Sequence, residues 1–143
     1  MNVFLGSDHA GFKLKESIKK FLEKKGHKFK DLGTNSEESC DYPDYAKKVA
    51  KSVQKNKNDF GILICGTGTG TAITANKFKG IRAVQATNTF LAKMSREHNN
   101  ANVLSLGARI NSEKEALEMV DVFLNTAFSS DERHKRRVEK IES

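Results

Sequence analysis

A chain of 143 residues with a formal net charge of +7, 37% hydrophobic residues and two cysteines has the size of one globular domain and excludes a disulfide-stapled secreted fold. No apolar stretch approaches the roughly 18 residues needed to cross a bilayer, and the opening "MNVFLGSDHAG" lacks the basic and apolar regions of a secretory leader. The expectation is one domain over residues 1–143, cytoplasmic, without a membrane partner, with Cys40 and Cys65 as free thiols.

Taken in chain order, "NVFLG" (2–6) reads as a short buried strand. Leu14, Ile18, Phe21 and Leu22 then fall on one helical face, with Gly26 as the stop. "HKFKDLG" (27–33) is a weaker, outer strand. A helix with Tyr45, Val49, Ala50 and Val53 inward follows Pro43, the one proline, at a first-turn position. "FGILIC" (60–65), "RAVQA" (82–86) and "NVLSLG" (102–107) are further strands. Ser112 and Glu115 have the spacing of a capping box, and Ser129 with Glu132 is expected to start a last helix over 130–142. This alternation predicts five parallel strands covered on both faces, a three-layer α/β/α sandwich, because parallel connections need crossovers.

Ligands of such sheets bind beyond the carboxyl ends of the strands. That rule selects "GSDHAG", "CGTGTG", "ATNT" and "GARIN". Gly66, Gly68 and Gly70 free the backbone for close approach to an anion, but the loop lacks the lysine of a Walker motif and the spacing of a dinucleotide fingerprint. A tight turn without ligand stays open as an alternative. Cys65, at the strand's end, would be a nucleophile or base as a thiolate, and a small buried hydrophobe otherwise.

Asp8 and His9 follow the first strand, and His98 and Asn99 close a helix. Two histidines, an aspartate and a cysteine are expected to converge on these loops. Arg133 and Arg137, four apart, share a helical face on which two guanidiniums can clamp a phosphate; a solvated basic tail is the competing reading. The scattered lysines suit solvated helix faces, and the residual charge favours a small phosphorylated ligand ahead of nucleic acid.

At "GSDHAGFKLK", "DYPDYA", "GILICGTGTG", "ANKFKGIRA", "SREHNNANVLSLGAR" and "RHKRRV" the chain resembles the ribose/galactose isomerase family, in its type B ribose-5-phosphate isomerase branch, from Asn2 to about Ile141. The resemblance implies a Rossmann-like sheet with a C-terminal helix at a subunit interface. It also implies interconversion of D-ribose 5-phosphate and D-ribulose 5-phosphate without metal or organic cofactor, and a homodimer or homotetramer with shared active sites and no nucleic-acid partner.

By the same resemblance Cys65 is the base that moves a proton between carbons 2 and 1 through a cis-enediolate, and His98 opens the furanose ring. Asp8, His9 and Asn99 contact substrate, Gly66, Thr67, Gly68, Thr69 and Gly70 hold the enediolate oxygen, and Tyr42 lines the pocket across the interface. Arg109, Arg133 and Arg137 match phosphate and interface arginines, some from the neighbouring subunit. Thr69 and Thr71 stand where relatives often carry aliphatic residues, and a branch that replaces the cysteine recruits a glutamate in this loop. The alternatives are an isomerase of a hexose 6-phosphate (allose or galactose 6-phosphate) and a basic nucleotide- or RNA-binding module.

Overall fold

The structure, a computed structural model, describes residues Met1–Ser143. One sheet contains β1 (Asn2–Ser7), β2 (Lys28–Asp31), β3 (Phe60–Cys65), β4 (Ala83–Gln85) and β5 (Val103–Gly107). All neighbours pair in parallel, in the order β2-β1-β3-β5-β4. The helices are α1 (Phe12–Lys24), α2 (Tyr42–Val53), α3 (Thr69–Ala75), α4 (Thr89–Asn99), α5 (Glu113–Asn125) and α6 (Glu132–Glu142). The expected five-stranded sheet is present, with strand ends shifted by a residue or a few.

Alternation along the central strands divides the apolar side chains between two cores. Val3, Leu5, Ile62, Ile64, Leu104 and Leu106 face α1, α4 and α5, whereas Leu63 and Val103 face α2 and α3. Complete burial of each such leucine or isoleucine contributes about 1.5–3 kcal/mol, so β1, β3 and β5 form the rigid centre. The chain leaves β1 toward one face and β3 toward the other, and this divergence opens a crevice at their carboxyl ends. Asp8 follows one of these strands and Cys65 ends the other.

Local chemistry accounts for the helix boundaries. Gly26 closes α1 with a Schellman pair of bonds, the His27 amide donating to Leu22 O and the Gly26 amide to Glu23 O. Ser112 and Glu115 form the expected capping box at α5. The last helix departs from expectation: its cap is Asp131, which accepts from the Arg133 amide, while Ser129 Oγ is 2.7 Å from His134 Nδ1. A carboxylate one residue before the helix is better placed for its first amides than a hydroxyl two residues further back.

β2 is shorter than its apolar pattern suggests, and charge holds this edge. Lys15 is fully buried, with Nζ 2.6 Å from Asp31 Oδ2 and 3.1 Å from Glu16 Oε2. Lys19 reaches the same Asp31 oxygen at 2.7 Å. Burial pushes the Asp31 carboxyl pKa up, but bonds from Lys15, Lys19 and the Gly33 amide outweigh it and hold the group below the usual carboxylate range. The cluster pins α1 to β2.

Candidate active site

β3 ends at Cys65, which is 5% exposed. The following turn brings the Gly68 amide back to Cys65 Sγ at 3.1 Å. Gly68 has φ +82°, and a Cβ there would meet the Leu106 carbonyl carbon at 2.9 Å, so the turn needs glycine on both counts. Thr71 Oγ1 lies 3.3 Å from the same sulfur and 2.7 Å from Ser105 Oγ, which in turn donates to Gly68 O at 2.7 Å. Thiol and loop are thus held by one buried polar cluster.

The amides of Gly66, Thr67 and Gly70 donate to no acceptor in the chain, so they remain available to an oxyanion. α3 is only 7 residues long, and the loop amides, rather than a long helix dipole, supply the positive end. Gln85 braces the loop, its Nε2 donating to Thr67 O at 2.9 Å and to Thr69 Oγ1 at 2.6 Å. The Tyr42 ring packs where a Cβ on Gly70 would stand, and the Arg109 guanidinium lies over Gly66.

Across the crevice, the Asp8 amide donates to Ile64 O at 3.3 Å, which sets Asp8 beside Cys65 on the neighbouring strand end. Asp8 is 7% exposed and its Oδ1 accepts from the Gly11 amide at 3.1 Å. His9 Nδ1 accepts from the Cys40 amide at 3.2 Å. This bond assigns the proton of a neutral His9 to Nε2, which is then a donor. Cys40 thus meets His9 through its backbone amide.

The expected convergence of both histidines with Cys65 does not occur within one chain. α4 starts beyond the carboxyl end of β4 and runs back for 11 residues, about 16 Å, so His98 and Asn99 lie at the opposite edge of the sheet. Arg82, just ahead of β4, confirms the placement by donating to Asn99 O and Asn100 O. A helix entering a parallel strand always ends at that strand's amino edge.

α6 crosses the same lower edge and carries Arg133 and Arg137, both exposed. The His98 and His134 rings stack with centroids 4.4 Å apart and planes tilted by 35°. Burial, then the neighbouring His98 and Arg133, lowers the His134 pKa below that of an ordinary histidine. Arg96 holds this edge together: its guanidinium sits 4.7 Å from the Phe60 ring centre and donates to Thr126 O, Asn100 Oδ1 and Ala101 O.

Two half-sites result. Cys65, Gly66 to Gly70, Asp8, His9, Tyr42 and Arg109 gather at the upper edge, while His98, Asn99, Arg133 and Arg137 gather at the lower. The largest cavity, about 820 Å³, lies at the lower edge among Phe60, Arg82, Arg96 and Glu142 and does not include Cys65. No group of three or more His, Cys, Asp or Glu side chains forms a metal-binding cluster. Sequence reasoning missed Thr71 as the partner of the sulfur, Ser105 as the partner of Thr71, Gln85 as the loop's brace, Arg96 as the tie across the lower edge and His134 as the neighbour of His98; a histidine within a motif was the available signal for the last.

A family model described as Ribose/Galactose Isomerase matches residues 3–141. Escherichia coli ribose-5-phosphate isomerase B is 45% identical over 139 residues, covering 97% of this chain and 93% of the relative. A structure of Clostridium thermocellum ribose-5-phosphate isomerase B superposes with a TM-score of 0.96 at 49% identity, covering 99% of this chain and 95% of that one. A structure of Mycoplasma genitalium ribose-5-phosphate isomerase B with bound ribulose-5-phosphate gives 0.95 at 44% identity, covering 99% and 93%.

Proposed function

The chain belongs to the ribose/galactose isomerase family, and from that premise we propose a proton-transfer isomerisation built around Cys65. The protein is an aldose-ketose isomerase that interconverts D-ribose 5-phosphate and D-ribulose 5-phosphate. The single observation carrying the mechanism is the Cys65 sulfur seated among hydrogen-bond donors beside a loop of unpaired amides.

In the open-chain aldose, the Cys65 thiolate takes the proton from carbon 2. The C2–H bond breaks, an S–H bond forms, and the electron pair moves through a C1=C2 bond onto O1. The amides of Gly66, Thr67 and Gly70 meet that oxygen as its charge develops. A donor so placed is worth about 3 kcal/mol in the transition state. The hydroxyl proton then passes from O2 to O1, and Cys65 returns its proton to carbon 1 as the carbonyl forms at carbon 2. Asp8 and His9 hold the substrate hydroxyls, and Tyr42 closes the pocket over Gly70.

Ring opening requires a proton donor and acceptor, and His98 is assigned to it with Asn99 beside it. Because these residues lie at the far edge from Cys65, a second copy must supply them, together with Arg133 or Arg137 for the phosphate. A two-fold axis that aligns helices antiparallel puts one copy's lower edge against the other's upper edge. Tyr42, Ile73, Phe90, Leu91 and Ile110 are exposed near the upper edge and offer apolar surface for that contact. We infer that the whole of residues 1–143 acts as one isomerase domain, as a cytoplasmic homodimer or dimer of dimers.

The deciding experiment is an assay of purified protein with ribose 5-phosphate in the presence of a chelator, alongside allose 6-phosphate. Efficient turnover of the pentose alone supports the reading. A large preference for the hexose, or dependence on added metal, sinks it.

A further inference from the structure

We propose that Thr71 and Ser105 are positioning residues that form a reversible hydrogen-bond relay, letting Cys65 hold its sulfur in one place both as thiolate and as thiol. The proposal rests on the assignment of Cys65 as the base. Thr71 and Ser105 are fully buried, 34 residues apart in sequence, and meet because β5 pairs directly with β3, with Leu63 opposite Ser105. Four contacts close a ring: Gly68 amide to Cys65 Sγ at 3.1 Å, Sγ to Thr71 Oγ1 at 3.3 Å, Thr71 Oγ1 to Ser105 Oγ at 2.7 Å, and Ser105 Oγ to Gly68 O at 2.7 Å. Thr71 Oγ1 also reaches Gly68 O, at a longer 3.3 Å.

Counting hydrogens shows what the ring does. With Cys65 as a thiol, three protons fill three gaps: S–H donates to Thr71, Thr71 O–H to Ser105, and Ser105 O–H to Gly68 O. With Cys65 as a thiolate, two hydroxyl protons remain. Thr71 then turns its O–H onto the sulfur, which already receives the Gly68 amide, Ser105 turns its O–H onto Thr71 Oγ1 across the 2.7 Å contact, and Gly68 O keeps the Ala72 amide at 3.2 Å. Rotation of the two hydroxyls about their C–O bonds converts one pattern into the other, and every heavy atom keeps its position.

The relay acts at the proton-transfer steps. As carbon 2 gives its proton to sulfur, the Thr71 hydroxyl is released from the sulfur and turns to Ser105, whose own hydroxyl turns to Gly68 O. When carbon 1 takes the proton back, both hydroxyls return. The Ala72 amide holds the Gly68 carbonyl in both states, joined by Ser105 in the thiol state, and with it the turn that presents the loop amides. An aliphatic side chain at position 71 would pack equally well but would give the sulfur no donor that turns with its charge.

The test uses Thr71→Val, which keeps the side-chain volume, Thr71→Ser, which restores a hydroxyl, and Ser105→Ala, alone and with Thr71→Val. Wild-type turnover and its loss in Cys65→Ala must first establish the base; retained turnover in that variant defeats the parent assignment rather than the relay. Given that base, Thr71→Val is expected to lower kcat by about tenfold with KM changed less than about twofold, and Thr71→Ser to recover most of it. The double variant should be no worse than the poorer single one. Thiolate ultraviolet absorbance, followed against pH in a Cys40→Ser background, should titrate about 0.5–1 unit higher in Thr71→Val than in its parent. Wild-type kcat together with an unmoved titration in a folded Thr71→Val protein would overturn the proposal, as would additive losses in the double variant.

Discussion

The His98 ring stacks on that of His134 at 4.4 Å, although the two residues lie on different helices. His134 is buried, bonds Ser129 Oγ through Nδ1, and faces His98 from α4, with Arg133, Arg137 and Asp131 from its own helix and cap. Burial disfavours the charged form of His134. A charged His134 would lose solvent in its buried position and stand close to the exposed His98 and Arg133.

Stability should therefore respond to acid in a defined direction. The folded-state pKa of His134 is lowered, by burial first and by His98 and Arg133 next, from an ordinary value of 6.5. Its contribution is present in full above about 6.5 and is lost as pH falls from there through the lower folded value. Urea unfolding midpoints measured between about pH 7.5 and 5 should fall more steeply for the wild type than for His134→Asn. Identical slopes would mean that His134 is not buried uncharged.

The proposed division of the site between copies makes a quantitative prediction. In a heterodimer of the Cys65→Ala and His98→Ala variants, one site carries both substitutions and is dead, while the other joins an unaltered Cys65 to an unaltered His98. Statistical re-association of an equal mixture yields half heterodimers, so about a quarter of wild-type activity should return from two inactive parents. Absence of any recovery after verified subunit exchange would place both residues in the same copy's site.

The base and the phosphate contacts should separate kinetically. Cys65→Ala is expected to lose about 10²–10⁴-fold in kcat, the usual cost of removing a general base, while still binding a non-reacting sugar phosphate. Arg137→Ala should instead raise KM about tenfold or more with a smaller change in kcat, since a phosphate contact mainly positions the substrate. A variant of Arg137 with altered turnover and unaltered affinity would contradict its assignment.

Gly70 offers a steric test of the loop. A Cβ at this position collides with the outer end of the Tyr42 ring. Gly70→Ala should displace either Tyr42 or the loop amides and lower kcat/KM by about 10–10²-fold. Gly70→Ala in a Tyr42→Ala background should recover loop geometry, and therefore lose less than the two single effects combined. Strict additivity would show that Tyr42 and the loop do not share this space.

Local pattern carried a long way in this chain. Short aliphatic runs, helical spacing of Leu14, Ile18 and Leu22, and the Ser112–Glu115 cap are written in neighbouring residues, so periodicity alone determined the alternation of elements and put Asp8, Cys65 and the glycine loop at strand ends. Tertiary structure decided which ends meet. β5 lies beside β3 although β4 separates them in sequence, and only that register delivers Ser105 to Thr71 and the sulfur. It also decided that His98 stands at the opposite edge from Cys65, because the direction of a crossover helix is a property of the whole sheet. Residue types told which groups could do chemistry; strand order and helix direction told which of them one chain can bring together.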